Sequence, residues 1–421
     1  MESGESLNSL AFVQEMFRKY YVEDFNIGVY VPLIDKREFG FASFDNQMVR
    51  HKNFRSTGEL KVFMQIFVPS DVYYSCAYYE NPMAEMERKG WLGADLIFDI
   101  DADHIPTLCE RIHDRWTCGG CGFSGKGITP EKCPLCGSEN LDAETWPCED
   151  CLGSAKFEAI KLLGMLQDDF GFSGREMHVF FSGHRGYHVH VESDAIKGLD
   201  SVARKEIVDY VSSIGFEVSF HPFSRRSLKG KISYGGPLFS FGWPKRLVDG
   251  LQSFLSKAKE EDLRKIGFKR DAVKAIMERR DALLRNLYDS GMWRTVRGVG
   301  FKTWEKLVEH VVTLQSVKID TVVTTDVHRL IRMPETLNSK TGFKKAEVPF
   351  SAIDDFDPFR DAVAFKKGEV EVLVSDAPKF RIGDETFGPY RDRKVELPTA
   401  AALLLVCRGR AEVVGDVQRA F

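Results

Sequence analysis

The sequence predicts a mixed α+β protein. Residues 96–100 form an apolar run with acids at Asp99 and Asp101, the pattern of a buried strand ending in a polar tip. Residues 177–181 and 187–191 alternate as strands around Ser182-Gly183-His184-Arg185-Gly186, a turn with two glycines. Residues 157–170, 248–259 and 273–287 repeat apolar side chains at helical spacing.

The chain has 421 residues, enough for two or three domains with a sizeable core. It is 43% hydrophobic and 29% charged, an ordinary globular balance. No run is long and apolar enough to span a membrane, and residues 1–9 lack a basic-then-apolar leader pattern, so a cytoplasmic protein with no membrane partner is expected. The net charge of −4 neither marks nor excludes nucleic-acid binding, because a local basic groove decides that. Nine cysteines without a secretion signal argue against a disulfide framework.

In chain order, residues 1–21 read as a helix with an apolar stripe of Leu10, Val13, Phe17 and Tyr20. Residues 29–67 read as short strands, the last over 60–67, and the charges at Arg37-Glu38 and Arg50-His51-Lys52 read as solvated strand faces. Further strands are expected over 72–79 and 94–100. Residues 199–310 turn charged and helical, and Arg225, Arg226, Lys229, Lys231, Lys245 and Arg246 there fit solvated ends or a phosphate track equally well. A strand is expected over 317–323, with Asp320 inside it, then strands over 370–387 and an apolar helix over 398–406.

Asp99 and Asp101 stand two apart, so on a strand they share a face. Adjacent carboxylates repel unless a cation lies between them, and hard oxygen ligands suit Mg²⁺ or Mn²⁺ with positions left open for phosphates. A metal pair of that kind clamps the attacking and leaving oxygens of a phosphoryl displacement. Asp320 is a candidate third carboxylate, since a lone buried acid in a β-branched strand needs a partner. Arg329, Arg332 and Lys340 follow it as counter-charge for a triphosphate, and Ser182, Arg185 and His188 surround the glycine turn where a phosphate can sit.

Seven of the nine cysteines lie between Cys109 and Cys151. Cys118-Gly-Gly-Cys121 and Cys133-Pro-Leu-Cys136, eleven residues apart, have zinc-ribbon spacing. Cys109 and His113 suit one face of a helical turn, and Cys148 and Cys151 open a helix. Those four define a second site around the first. Four protein ligands each make both sites structural zinc sites, closed to substrate.

These motifs in this order resemble the catalytic (small) subunit of the archaeo-eukaryotic DNA primases, the archaeal branch most closely. The resemblance rests on Arg37-Glu38-Phe39, Phe98-Asp99-Ile100-Asp101, the cysteine knuckle before a helix, Asp169-Phe170-Gly171-Phe172, 182–188, Asp320, and His328-Arg329-Leu330-Ile331-Arg332 ahead of Lys340-Thr341-Gly342. It implies a catalytic core of mixed sheets with flanking helices over 1–198 and 311–421, a zinc-binding segment inserted at 105–152, and a mostly helical subdomain over 199–310. Asp99, Asp101 and Asp320 match the family's catalytic carboxylates for two Mg²⁺ or Mn²⁺ ions, with Asp326 a rival for the third place. Ser182, Arg185, His188 and Arg332 match its nucleotide contacts. Cys109, His113, Cys148 and Cys151 match its zinc knuckle, and Cys118, Cys121, Cys133 and Cys136 look like an added second zinc element. Asn338 stands where the family usually has histidine.

The implied activity is two-metal nucleotidyl transfer, making short primers from NTPs or dNTPs on single-stranded DNA during replication. The implied partner is a large regulatory subunit in a heterodimer. A gap-filling polymerase of the same superfamily and a non-catalytic zinc-ribbon binding protein are the competing readings.

Overall fold

A computed structural model describes residues 2–26, 31–217, 241–285, 287, 296 and 299–414. Residues 29 and 30, where the segment read as short strands begins, and Arg225, Arg226, Lys229 and Lys231, lie outside them. Two compact units divide the chain: 1–159 with 174–204 and 319–421, and 160–173 with 205–318. Among the described residues no helix is long and apolar enough to cross a membrane.

The first unit opens with α1 (Glu2–Lys19), which ends in one π turn and buries Phe12, Met16 and Phe17. Strands β1 (Phe39–Ala42) and β2 (Met48–Lys52) follow. The segment expected as a strand over 60–67 is instead α2 (Thr57–Phe67). Its start signal decides the matter: the Ser56 hydroxyl accepts the Glu59 N–H, and the Glu59 carboxylate accepts the Arg55 N–H. Strand β3 (Asp71–Ser75) returns beside β1, pairing Tyr74 with Phe39.

Arg37 and Glu38 correct a second expectation. Both are fully buried rather than solvated. The Arg37 guanidinium bonds Asp95 at 2.6 Å, the Ser75 and Cys76 carbonyls and the Tyr78 hydroxyl, and Glu38 pairs with buried Lys89 and with Arg50 at 3.1 Å. Burial without such partners would leave each charge uncompensated. Arg50, His51 and Lys52 are exposed, as a solvated face requires.

A short hairpin, β4 (Ala77–Tyr79) and β5 (Trp91–Ala94), leads into β6 (Leu96–Asp101). The cysteine-rich segment then forms its own antiparallel sheet from β7 (Arg115–Cys118), β8 (Ser124–Lys126) and β9 (Leu141–Glu144). Helix α3 (Glu149–Asp168) follows it, and its C-terminal part lies in the second unit. Back in the first unit, β10 (Met177–Phe181) and β11 (Gly186–Val191) make the expected hairpin, with Phe180 opposite His188.

Helix α4 (Asp194–Lys197) and the start of α5 (Ser201–Ser212) close this stretch. The second unit is helical: α6 (Gly242–Lys257), α7 (Glu260–Lys265), α8 (Arg270–Glu278), α9 (Arg280–Arg285) and α10 (Phe301–Gln315). Its Lys245 pairs with Asp249, and Arg246 bonds Asp169 at 2.5 Å, so these two cations are held by carboxylates inside their own unit.

The first unit resumes with α11 (Thr321–Thr325), β12 (Leu330–Arg332) and β13 (Ala346–Val348). The expected strand around Asp320 is therefore absent. Asp320 is the N-cap of α11, and its carboxylate accepts the Val322 N–H at 2.9 Å, a local bond that starts a helix despite the β-branched run. Two four-stranded antiparallel sheets result, ordered β12-β3-β1-β2 and β13-β10-β11-β6. After α12 (Pro358–Asp361), β14 (Glu369–Ala377), the hairpin β15 (Phe380–Ile382) and β16 (Glu385–Phe387), β17 (Tyr390–Pro398), the apolar helix α13 (Thr399–Cys407) and β18 (Ala411–Val413) complete a third sheet, β17-β14-β18, with its helix.

Candidate active site and metal clusters

On β6 the strand period separates two faces. Phe98 and Ile100 are fully buried on one, with Tyr187 and Val189 of β11 alongside. Asp99 and Asp101 occupy the other. The register sets His188 directly opposite Asp99 and Gly186 opposite Asp101. His188 Nε2 lies 3.5 Å from Asp99 Oδ1. The Asp320 N–H donates to the Asp99 carbonyl at 2.8 Å, so the N-terminus of α11 brings a third carboxylate to the same strand.

Electrostatics records this crowding. Burial, then the negative charges of Asp101 and Asp320, push the Asp99 carboxyl up to about 7. Asp101 is raised as well, chiefly by burial, against the nearby cations Arg185 and Lys340. Burial and the charges of Lys345 and Arg332 hold His188 well below the usual histidine range, so it is neutral.

Among the described residues, only two groups place ligand atoms all within 4.8 Å of one another, and both are the cysteine groups. Asp99, Asp101 and Asp320 share one neighbourhood without closing to that distance. In the first cysteine group, His113 Nε2 lies 3.1 Å from Cys148 Sγ and 3.3 Å from Cys109 Sγ, with Cys109 and Cys151 sulfurs 3.4 Å apart. In the second, Cys118–Cys136 and Cys121–Cys133 are 3.5 and 3.7 Å apart. Tetrahedral zinc with bonds near 2.3 Å sets its sulfurs roughly 3.7 Å from each other, so both donor sets fit that ion. The helical turn expected for Cys109 and His113 is not one: Glu110 and Arg111 adopt left-handed backbone, φ 48° and 53°, which curls the loop tightly.

The glycine turn differs from expectation in its hydrogen bonding. The Ser182 hydroxyl accepts the N–H groups of His184 and Gly186 at 3.3 and 3.2 Å, so the Gly186 N–H is already engaged. Arg185 is fully buried. It bonds both Asp114 oxygens through Nη1, at 3.0 and 2.7 Å, and pairs with Asp103. Arg332 bonds Asp71 at 2.5 Å and lies over the Tyr73 ring, with 13% of its side chain exposed. Asn338 is buried and turns its carbonyl oxygen to the Lys340 N–H at 2.9 Å. Arg329 and Lys340 are exposed, carry no ion pair among the described residues, and act on Asp99 and Asp101 respectively through their charge.

Four participants were not singled out from the sequence: Asp103, Asp114, His190 and Lys345. Buried Lys345 donates to the Arg332 carbonyl at 2.8 Å and lies 3.3 Å from His190 Nε2. Period two gave a signal for His190, which follows His188 on one face. Asp114 adjoins the zinc-ligand candidate His113, but its other partners, Trp146 and Arg185, are distant in the chain.

A family model for the DNA primase small subunit matches residues 139–350. Archaeal proteins named DNA primase small subunit PriS match nearly end to end. That of Archaeoglobus fulgidus is 34% identical over 406 residues, 95% of this chain and 97% of its own. Those of Cenarchaeum symbiosum and Nitrosopumilus maritimus are 32% and 31% identical, each across 96% of this chain and 98% of its own. With antiparallel sheets, a strand-borne acid pair and a cysteine-rich insertion, the chain belongs to the DNA primase small subunit family. Within it the chain is of the archaeal type and is the catalytic subunit of a DNA primase, a nucleotidyltransferase of DNA replication.

Proposed function

We propose that Asp99, Asp101 and Asp320 hold the divalent cations, Mg²⁺ or Mn²⁺, with which this primase joins nucleotides on a single-stranded DNA template. The observation that carries the reading is the meeting of three carboxylates: Asp99 and Asp101 share one face of β6, and the Asp320 N–H donates to the Asp99 carbonyl at 2.8 Å. Such a site favours a proton or a cation, and oxygen ligands of this kind suit hard divalent ions. When bound, those ions neutralise the triphosphate and acidify the attacking hydroxyl. Neutral His188 orients Asp99. Exposed Arg329 and Lys340 meet the phosphates first, while Ser182, Arg185, His188 and Arg332 form the wall behind them. The 3′-oxygen attacks the α-phosphate in line, the α–β bond breaks, and pyrophosphate leaves.

By the same reading both cysteine groups hold a structural Zn²⁺, and the chain works in the cytoplasm as a heterodimer with a large regulatory subunit. Catalysis belongs to a core over 1–198 and 311–421 beside a mostly helical subdomain over 199–310, and the support for that division is the second compact unit, which takes 205–318 but also 160–173. The test is product formation on unprimed single-stranded DNA with labelled NTPs or dNTPs and Mg²⁺ or Mn²⁺. Short products from the native chain, absent from Asp101→Ala, are expected. Products that persist in Asp101→Ala would refute the carboxylate assignment, and extension of supplied primers alone would favour a gap-filling polymerase.

A further inference from the structure

Asp101 and the first cysteine group are joined by an unbroken polar chain. At one end, the Asp101 carboxylate accepts the Asp103 N–H at 2.9 Å, which fixes its rotamer. The Asp103 carboxylate pairs with Arg185, and the Asp103 carbonyl accepts from Arg111 Nη1 at 2.7 Å. Arg185 is tied to the same strand end, because its carbonyl accepts the Ala102 N–H at 3.2 Å. Its guanidinium then passes to Asp114, which is 5% exposed. Asp114 Oδ1 also accepts the Trp146 N–H at 2.8 Å and lies 2.9 Å from His113 Nδ1. His113 Nε2 faces the cysteine sulfurs, so Nδ1 carries the proton and donates it to Asp114.

Asp114 thus holds a metal-ligating imidazole with one side and a buried arginine with the other. A carboxylate in that position orients the ligand, and its removal weakens metal binding by about 10–100-fold in comparable sites. It also balances Arg185, which would otherwise be shared by Asp101 and Asp103 alone. Because Arg185 and Trp146 are buried and nearly all the bonding capacity of Asp114 is used, it has no slack to adjust at one end without shifting the other.

We propose that Asp114 is a positioning residue that couples occupancy of the Cys109–His113–Cys148–Cys151 cluster to the placement of Arg185 and, through Asp103, of Asp101. The inference rests on the reading of Asp99, Asp101 and Asp320 as a cation site. It makes the two metal sites thermodynamically linked, so a change at one alters affinity at the other by the same factor.

The test is Mn²⁺ affinity of the zinc-loaded full chain, read from the electron paramagnetic resonance of free Mn²⁺, with zinc content measured in parallel. His113→Cys keeps four zinc ligands while removing the imidazole that Asp114 holds. Asp114→Asn keeps the shape and removes the charge. Each variant is expected to weaken Mn²⁺ binding about 5–10-fold. The double variant is expected to weaken it no further than Asp114→Asn alone, since both cut one link. Zinc affinity at the first cluster falls in Asp114→Asn, while the Cys118–Cys136 ribbon retains its ion. Asp101→Ala identifies the Mn²⁺ signal that counts. If no Mn²⁺ site depends on Asp101, the cation reading fails and this inference with it. If that site exists but is indifferent to His113→Cys, or if the two losses simply add, the inference alone is overturned. Should Asp114→Asn not fold, the Mn²⁺ affinity of His113→Cys decides by itself: a loss supports the coupling, and a native value overturns it.

Discussion

His188 Nε2 approaches Asp99 Oδ1 to 3.5 Å across directly opposed positions of β6 and β11. The pair is an unusual one in charge. The imidazole is neutral, because burial and the charges of Lys345 and Arg332 disfavour its cation, while the carboxyl is pushed up to about 7. Among the described residues no lysine or arginine pairs with Asp99, so its ionisation is left to respond to a bound cation.

That response has a sign. Without a cation, folded Asp99 holds its proton more tightly than the unfolded chain, whose carboxyl titrates near 3.8. The resulting stabilisation is complete below that value and is lost as pH rises to about 7. Divalent cations need the ionised form, so their affinity rises over the same range and levels off above it. Melting midpoints of metal-free protein between about pH 5 and pH 8 should fall more steeply for the native chain than for Asp99→Asn. Added Mn²⁺ should restore stability most at the alkaline end. Identical pH profiles for the two chains would contradict the raised carboxyl.

Gly186 of β11 lies directly opposite Asp101. A Cβ there would strike the Ile100 carbonyl oxygen and come within 3.1 Å of the Asp101 Cα, both parts of the β6 backbone. The strands must separate to admit it. Gly186→Ala is expected to lower stability by about 1–3 kcal/mol and to reduce primer synthesis by more than the unfolded fraction explains. Denaturant titration and activity at matched folded fraction measure the two effects.

Arg332 pairs with Asp71 and, in the proposed function, also meets the nucleotide, and a pair of variants can separate the two. Its loss leaves buried Asp71 without its guanidinium, and breaking such a pair costs roughly 3–5 kcal/mol. Asp71→Asn added to Arg332→Ala should recover most of that stability. The KM for nucleotide should stay raised about tenfold, the scale of one lost charge-assisted hydrogen bond. A KM that returns to the native value would make Arg332 a structural residue only.

The two cysteine groups should release two equivalents of zinc to a strong chelator. Cys148→Ser and Cys118→Ser should each lose one while leaving the other. Loss of both ions from either variant would mean that the groups are not independent.

Much of this was legible from residue order. The apolar run into Asp99 and Asp101 and the alternation on either side of the glycine turn place β6, β10 and β11, because two-residue periodicity is a local property. Cysteine spacing defines both metal clusters for the same reason. Where the sequence misled, a short capping bond outweighed β propensity: Ser56 with Glu59 makes α2, and Asp320 with Val322 makes α11. The burial of Arg37 and Arg185 escaped because their partners, Asp95 and Asp114, lie 58 and 71 residues away, and nothing local distinguishes a buried arginine from a surface one.

The ribbon lies wholly within the loop that the outer group closes, and this nesting bears on the order of assembly. Cys118 and Cys136 are 18 residues apart, whereas Cys109 and Cys151 are 42 apart. Ring closure in the unfolded chain favours the shorter span by about 0.7 kcal/mol. Once the inner ring has closed, it shortens the effective contour of the outer one. During refolding with limiting zinc, the ribbon should therefore capture the ion first and act as a nucleus for the larger ring. The added element would then serve the chain before any nucleotide is bound, as a clasp that eases the second, more distant closure.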